Sequence, residues 1–135
     1  MIVETSALIA MVFDEARGEE CRNALVLDDQ RSMSAASYFE ASIVTDARRD
    51  PVVMRKLDAW RQRAGIHLVP FTATQAELAR QAYRDFGRGS GNPAKLNMGD
   101  CYAYALASDL DEPLLFIGND FIHTDIRSVL DDPRP

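Results

Sequence analysis

The chain has 135 residues, of which 47% are hydrophobic and 27% are charged, and its net charge at pH 7 is −6. This length and composition predict one compact domain over residues 1–135 and exclude a disordered or fibrous chain. A net negative charge is untypical of general nucleic-acid binders. It is compatible with a nuclease whose acidic residues hold a divalent cation, because such a protein meets phosphate through the metal.

Targeting signals and zinc sites are not evident in the sequence. No apolar segment reaches the roughly 20 residues of a membrane-spanning helix. The apolar start of the chain carries Glu4 and lacks the basic region of a signal peptide, so we expect a cytoplasmic protein with no part in a membrane. Cys21 and Cys101 are far apart, as are His67 and His123, which predicts free thiols and argues against zinc.

The apolar pattern predicts strands that alternate with helices. Four short apolar segments are typical of buried strands: Met1–Val3, Arg31–Met33, Ile66–Val69 and Leu114–Ile117. The helical patterns between them cover Ser6–Phe13, Ala16–Leu27, Ala35–Arg48, Val52–Ala64, Thr74–Phe86 and Asp100–Asp109. Pro51 is expected at a helix start and Gly87 at a helix end. The alternation predicts an α/β fold with a parallel sheet.

One loop stands out between the last two predicted helices. Residues 87–99 are rich in Gly, Asn and Pro, and they carry two cations, Arg88 and Lys95. The segment is either an ordinary surface loop or a contact for an anionic ligand. It lacks the Gly-Lys-Ser/Thr ending of a P-loop and does not follow a strand, which excludes that motif.

Acidic residues occupy the ends of predicted elements. Glu4 follows the first strand and Asp120 follows the fourth, and the carboxyl ends of parallel strands line the ligand crevice of such sheets. Asp100 begins a helix, and Glu40 lies in the first turns of another. Each acid also has a purely structural interpretation. Asp100 would be a helix N-cap, Glu40 would form a capping box with Ser37, Asp125 would start a short helix and Glu4 would be solvated.

Together the acids favour a metal site over these separate roles. Glu40 lies on an apolar helix face, and a lone buried carboxylate is costly without a partner or a cation. Acids that converge at one sheet edge repel one another unless a cation lies between them. Oxygen ligands without His or Cys favour Mg²⁺ or Mn²⁺, which promote phosphoryl chemistry.

Four blocks of the sequence resemble the PIN-domain ribonucleases of the VapC toxin type. Glu4 lies in the first block and Glu40 in the second, while Asp100 lies in the third and Asp120 in the fourth. The blocks are residues 1–10 (MIVETSALIA), 33–41 (MSAASYFEA), 96–107 (LNMGDCYAYALA) and 114–126 (LLFIGNDFIHTDI). They occur in the family's order and at suitable spacing, and they extend over nearly the whole chain.

The resemblance implies a PIN-like three-layer α/β/α fold with a central, mainly parallel four-stranded sheet. It also implies a Mg²⁺- or Mn²⁺-dependent endoribonuclease that cleaves structured RNA such as tRNA or rRNA. The expected partners are a VapB-type antitoxin and a second copy of the chain, in a homodimer. Glu4 and Asp100 are then expected as the chief metal ligands, Glu40 as a ligand or an orienting group for water, and Asp120 as the fourth acid.

Further residues around the acids are expected to have supporting roles. Thr5 and Ser6 would form hydrogen bonds at the site or cap a helix, and Asp125 would extend the acidic rim. Asn119 stands where many relatives carry another acid. Arg88 and Lys95 are candidate RNA contacts.

The chain departs from the family pattern at its first acid, which is Asp in the family and Glu4 here. The additional methylene would displace the carboxylate by about an ångström, and a displacement of that size can cost ~100-fold in rate. One alternative is therefore a catalytically weak module that binds RNA and antitoxin. A second alternative, a receiver-like signalling domain, would require an Asp after a middle strand and a Lys after a late one. The residues after Ile66–Val69 contain no Asp, and Lys95 precedes the last strand.

Overall fold

The computed structural model of the protein describes residues 1–131, which form a four-stranded sheet and six helices. The strands are β1 (Ile2–Val3), β2 (Arg31–Ser34), β3 (Ile66–Val69) and β4 (Leu114–Leu115). The helices are α1 (Thr5–Val12), α2 (Gly18–Val26), α3 (Ala35–Asp46), α4 (Pro51–Arg63), α5 (Ala73–Phe86) and α6 (Met98–Leu110). Over residues 1–131, no helix combines the length and the apolarity needed to cross a membrane.

All strand pairs in the sheet are parallel, and the strand order is β3-β2-β1-β4. Ile2 of β1 pairs with Ser32 on one side and with Leu114 on the other. Because every strand runs in the same direction, the segments that follow the four strands emerge at one edge of the sheet. Glu4 follows β1 and Asp120 follows β4 at that edge.

Alternate residues of the sheet face two apolar cores. Val3 and Leu115 pack with α1, α2, α3 and α4, whereas Ile2, Leu114 and Phe116 pack with α5 and α6. Successive side chains of a strand point to opposite faces, which explains why neighbouring residues of β1 belong to different cores. The arrangement is a three-layer α/β/α fold, and this prediction is confirmed.

The helix starts agree with the predicted ones to within two residues, but the residues that cap two of the helices differ. Ser34 caps α3 by accepting a hydrogen bond from the Ala36 amide at 3.2 Å, so the expected capping box of Ser37 and Glu40 is wrong. The predicted start of α6 at Asp100 is also wrong, because Asn97 is the N-cap and the helix begins at Met98. No helix forms at Asp125. Pro51 at the start of α4 and Gly87 at the end of α5 lie as predicted.

Candidate active site

Glu4 connects the end of β1 to the start of α1. Its carboxylate caps α1 by accepting a hydrogen bond from the Ser6 amide at 2.7 Å and another from the Ser6 hydroxyl. The same Ser6 oxygen accepts a hydrogen bond at 2.9 Å from the amide of Ile117, just beyond β4. Ser6 therefore links the ends of two neighbouring strands and holds one oxygen of Glu4, Oε2, in place.

Burial makes the charged form of Glu4 unfavourable. The residue is 4% exposed, and this burial raises its pKa from 4.5 to about 7. The hydrogen bonds from Ser6 lower the pKa, while the negative charges of Asp100 and Glu40 raise it further. The Glu4 carboxylate thus lies within the electrostatic reach of two other acids, although the three are far apart in the sequence.

Asp100 occupies the third position of α6 and takes part in a capping box. Its carboxylate accepts a hydrogen bond from the Asn97 amide at 2.9 Å, and its own amide donates to the Asn97 side chain at the same distance. Burial raises the pKa of Asp100 from 3.8 to about 6. The hydrogen bond from Asn97 lowers the pKa, the charges of Asp120 and Glu40 raise it, and Arg88 lowers it.

Glu40 lies against the first turn of α6. The absence of a side chain at Gly99 makes the contact possible, since a Cβ at this position would overlap the Glu40 carboxylate. Glu40 comes from α3 and Gly99 immediately precedes Asp100, so the contact joins the second and third acidic blocks. Gly99 is a residue of the site that the sequence analysis did not identify as functional.

Asp120 is exposed on the loop that follows β4. Gly118 has a φ of 110°, a left-handed conformation that favours glycine, and it turns the chain after Ile117. Phe121 anchors the loop by packing on Phe116, with ring centroids 5.0 Å apart. The negative charge of Asp120 raises the pKa of Asp100. Asn119 is exposed beside it.

Asp125 has a different environment from the four other acids. It accepts a hydrogen bond at 2.7 Å from the hydroxyl of Tyr104, in the middle of α6, and lines a cleft with the C-terminal half of that helix. The geometry therefore gives Asp125 the role of anchoring the chain after Asp120 to α6.

We expect Tyr104→Phe to lower the free energy of unfolding by about 1 kcal/mol, because it removes the hydrogen bond to Asp125. RNA cleavage should fall only severalfold, since Asp120 itself is retained. Tyr102→Phe is the matched control: the Tyr102 ring packs on Phe71 with centroids 5.1 Å apart, and among residues 1–131 its hydroxyl forms no hydrogen bond. Thermal unfolding of both variants tests the anchor, and equal stabilities would contradict it.

The remaining predicted residues lie around the acids. Thr5 is buried, and its hydroxyl donates to the carbonyl of Ser37 at 3.3 Å, which ties α1 to α3. Arg88 and Lys95 are exposed on the loop between α5 and α6. The positive charge of Arg88 lowers the pKa of Asp100.

The donor chemistry of this edge fits a hard divalent cation. Its acids offer carboxylate oxygens, and burial and mutual repulsion make two of these groups unfavourable as uncompensated charges. In the conformation described for residues 1–131, no three His, Cys, Asp or Glu side chains are arranged as ready-made metal ligands.

Comparisons with known proteins agree with this architecture. A family model described as "PIN domain" matches residues 1–127. Ribonuclease VapC28 of Mycobacterium tuberculosis is 54% identical over 131 residues, which cover 97% of this chain and 98% of the relative. Ribonuclease VapC42 of the same organism is 47% identical over 127 residues, covering 94% and 97% of the two chains.

A solved structure has the same fold at low sequence identity. The crystal structure of Mycobacterium tuberculosis VapC20, described as a sarcin-ricin loop cleaving toxin, matches with a TM-score of 0.72 and 16% identity. The match covers 93% of this chain and 95% of that one. Because the family model and the close relatives extend over nearly the entire sequence, the chain belongs to the PIN-domain family and, within it, to the VapC ribonucleases.

Proposed function

We propose that the protein is a divalent-cation-dependent endoribonuclease that hydrolyses phosphodiester bonds in RNA, with Mg²⁺ or Mn²⁺ as the cofactor. The observation that carries the proposal is the convergence of Glu4, Glu40, Asp100 and Asp120 at one edge of the sheet, with raised pKa values at Glu4 and Asp100. Membership of the VapC ribonucleases supports the reaction type. It also leaves the receiver-domain alternative without support.

Each acid has a distinct part in the proposed reaction. Asp100 and Glu4 would hold the cation, directly or through water, from their positions at the starts of α6 and α1. Glu40, held against Gly99, accepts a proton or a hydrogen bond from the attacking water. Asp120 completes the acidic rim from its exposed loop. A divalent cation bound there would supply polarisation of the phosphate and a lower pKa of the attacking water.

We propose structured RNA, such as tRNA or rRNA, as the substrate, and the cytoplasm as the place where the protein meets it. A VapB-type antitoxin is the proposed inhibitor, as the names of the VapC relatives imply. We further propose a homodimer. Exposed apolar side chains on α3 and α4 support a protein interface of one of these two kinds: Phe39, Ile43, Val44 and Val52.

The proposed function is tested by incubating the wild-type chain with folded tRNA and rRNA transcripts in Mn²⁺ or Mg²⁺, with and without EDTA. We expect endonucleolytic products that require the cation and that disappear in Asp100→Asn, which retains a hydrogen-bond acceptor for the Asn97 amide. Cleavage that persists in EDTA or in this variant would contradict the metal mechanism. Preference for folded over unstructured RNA tests the substrate class.

The substitution Glu4→Asp is expected to change the rate of RNA cleavage. Its carboxylate already serves as the cap of α1, and the described hydrogen bonds all involve Oε2. We expect Glu4→Asp to increase the cleavage rate about tenfold without changing RNA affinity, because it restores the family's usual side-chain length. The rate is measured in single-turnover assays and the affinity in the Asp100→Asn background. If neither the wild type nor the Glu4→Asp variant cleaves RNA, the alternative of a binding module is favoured instead.

A further inference from the structure

We propose that the cleft between Arg88 and Lys95 binds one phosphate of the RNA backbone beside the phosphodiester that is cleaved. The inference rests on the proposed function and adds a second subsite to it. The cleft belongs to the loop between α5 and α6. It is lined by Arg88, Gly89, Gly91, Asn92, Pro93 and Lys95.

The loop is closed at its base, so its two cations are held at one place. The Arg88 amide donates to the Leu96 carbonyl at 3.1 Å, and the Leu96 amide donates to the Phe86 carbonyl at 2.9 Å. Residues 87 and 96 form a parallel bridge, and buried Leu96 packs in the core with α6. These contacts hold the two ends of the segment that carries Arg88 and Lys95 next to each other.

The charge of the loop is suited to an anion. Residues 87–99 contain two cations and no acid, in a chain whose net charge is −6. Within residues 1–131, the ion pairs engage Arg17, Arg22, Lys56 and Arg127, but neither Arg88 nor Lys95. Both loop cations are exposed. A phosphate that enters the cleft therefore meets two unpaired positive charges and no carboxylate among its lining residues.

Glycines leave the backbone of the cleft open to a ligand. Gly89 and Gly91 have φ values of 86° and 89°, and a Cβ at either position would meet no atom within 4 Å. Neither glycine places a side chain over the backbone of the loop between the two cations. This permits close approach of an extended nucleic-acid backbone.

The position of the loop defines which phosphate it would bind. The chain passes from Lys95 through Leu96 directly to Asn97, the residue that caps Asp100. The hydrogen bond from the Arg88 amide to the Leu96 carbonyl places Arg88 beside this segment. A strand of RNA whose cleaved bond lies at the acids therefore passes Arg88 with a neighbouring phosphate.

The test measures binding separately from cleavage. A fluorescently labelled RNA hairpin is titrated with the full chain carrying Asp100→Asn, with and without Arg88→Ala and Lys95→Ala. We expect the two substitutions to weaken binding about tenfold at low salt and to reduce the salt dependence of log K by about 1. The control pair Arg55→Ala and Arg63→Ala removes the same charge from exposed positions on α4, in the opposite helical layer, and should have a smaller effect.

A second measurement identifies a single phosphate. Hairpins that each carry one uncharged methylphosphonate are compared across all positions. We expect one position at which the replacement weakens binding to the protein that retains Arg88 and Lys95. At that position it should not weaken binding to the protein in which both residues are Ala. Equal weakening by the α4 control pair, or no position with this behaviour, would overturn the proposal.

The two proposals fail in different ways. If the wild type does not cleave RNA but one methylphosphonate position still depends on the loop cations, the nuclease function is wrong and the phosphate site stands. If the wild type cleaves RNA and the double variant binds every hairpin as tightly as the wild-type loop does, the phosphate site is wrong and the function stands.

Discussion

Gly99→Ala should lower the rate of RNA cleavage about 100-fold while the free energy of unfolding stays within about 1 kcal/mol of the wild type. The added Cβ would overlap the Glu40 carboxylate, which is the end of a flexible side chain and can rotate away. Alanine is also a better helix former than glycine, so α6 should tolerate the change. The substitution therefore displaces a carboxylate without unfolding the domain.

A double-mutant cycle tests this mechanism. If Gly99→Ala acts only through Glu40, then adding it to Glu40→Ala should cost no further activity. Gly18→Ala is the control: its Cβ would overlap the carbonyl of Ala10, which is backbone and cannot rotate away. We expect Gly18→Ala to lower stability while the activity per folded molecule is preserved. Full activity of Gly99→Ala would show that the observed position of Glu40 is not needed for catalysis.

Glu4→Gln should make the metal-free protein more stable than the wild type at neutral pH. Glu4 has a pKa of about 7 in the folded chain and 4.5 without burial, so folding favours the protonated carboxyl. The stability that this preference contributes is fully present below about pH 4.5 and is lost as the pH rises through about 7. At about 1.4 kcal/mol per pH unit, the wild type loses about 3 kcal/mol over this range. The Gln variant, which does not ionise, avoids that loss.

The measurement is chemical denaturation of both proteins between pH 4 and pH 8 in EDTA, repeated with Mn²⁺. The stability difference between the variant and the wild type should widen between pH 4.5 and 7 and then level off. Mn²⁺ should reduce this stability difference at pH 7 to 8, because a cation bound to the ionised Glu4 would stabilise the wild type. A difference that does not change with pH would show that Glu4 has an ordinary pKa. If Mn²⁺ does not change the stability difference, Glu4 does not bind the cation.

The sheet edge and the acids that follow its strands were predictable from local patterns. Short apolar segments indicate buried strands, and parallel strands end at a common edge. This reasoning placed Glu4 after β1 and Asp120 after β4, where the structure has them. The PIN-type architecture followed from the order of the four sequence blocks. These features depend on periodicity and chain direction, which a sequence contains.

The contacts that organise the site were not predictable in the same way. Whether Ser34 or Ser37 caps α3 depends on where β2 ends, and β2 is extended to Ser34 by its pairing with β3. The need for glycine at position 99 arises from Glu40, which is distant in the sequence. A glycine inside the first turn of a helix was the only local signal of that contact.

The hydrogen bond from Tyr104 to Asp125 is another contact that local sequence patterns do not predict. Sequence reasoning grouped Asp125 with the other acids because of its type and its proximity to Asp120 in the chain. The packing of α6 against the segment after β4 determines its partner, and a local pattern does not contain that information.

Two of the four acids also take part in helix caps, and this restricts which substitutions can remove activity without destabilising the fold. Glu4 and Asp100 each accept backbone hydrogen bonds at the start of a helix, so a replacement without an acceptor removes a cap as well as a charge. In a genetic selection for harmless variants, substitutions at 40 or 120 should yield well-expressed, intact protein. Apolar replacements at 4 or 100 should instead yield chains that are depleted by proteolysis.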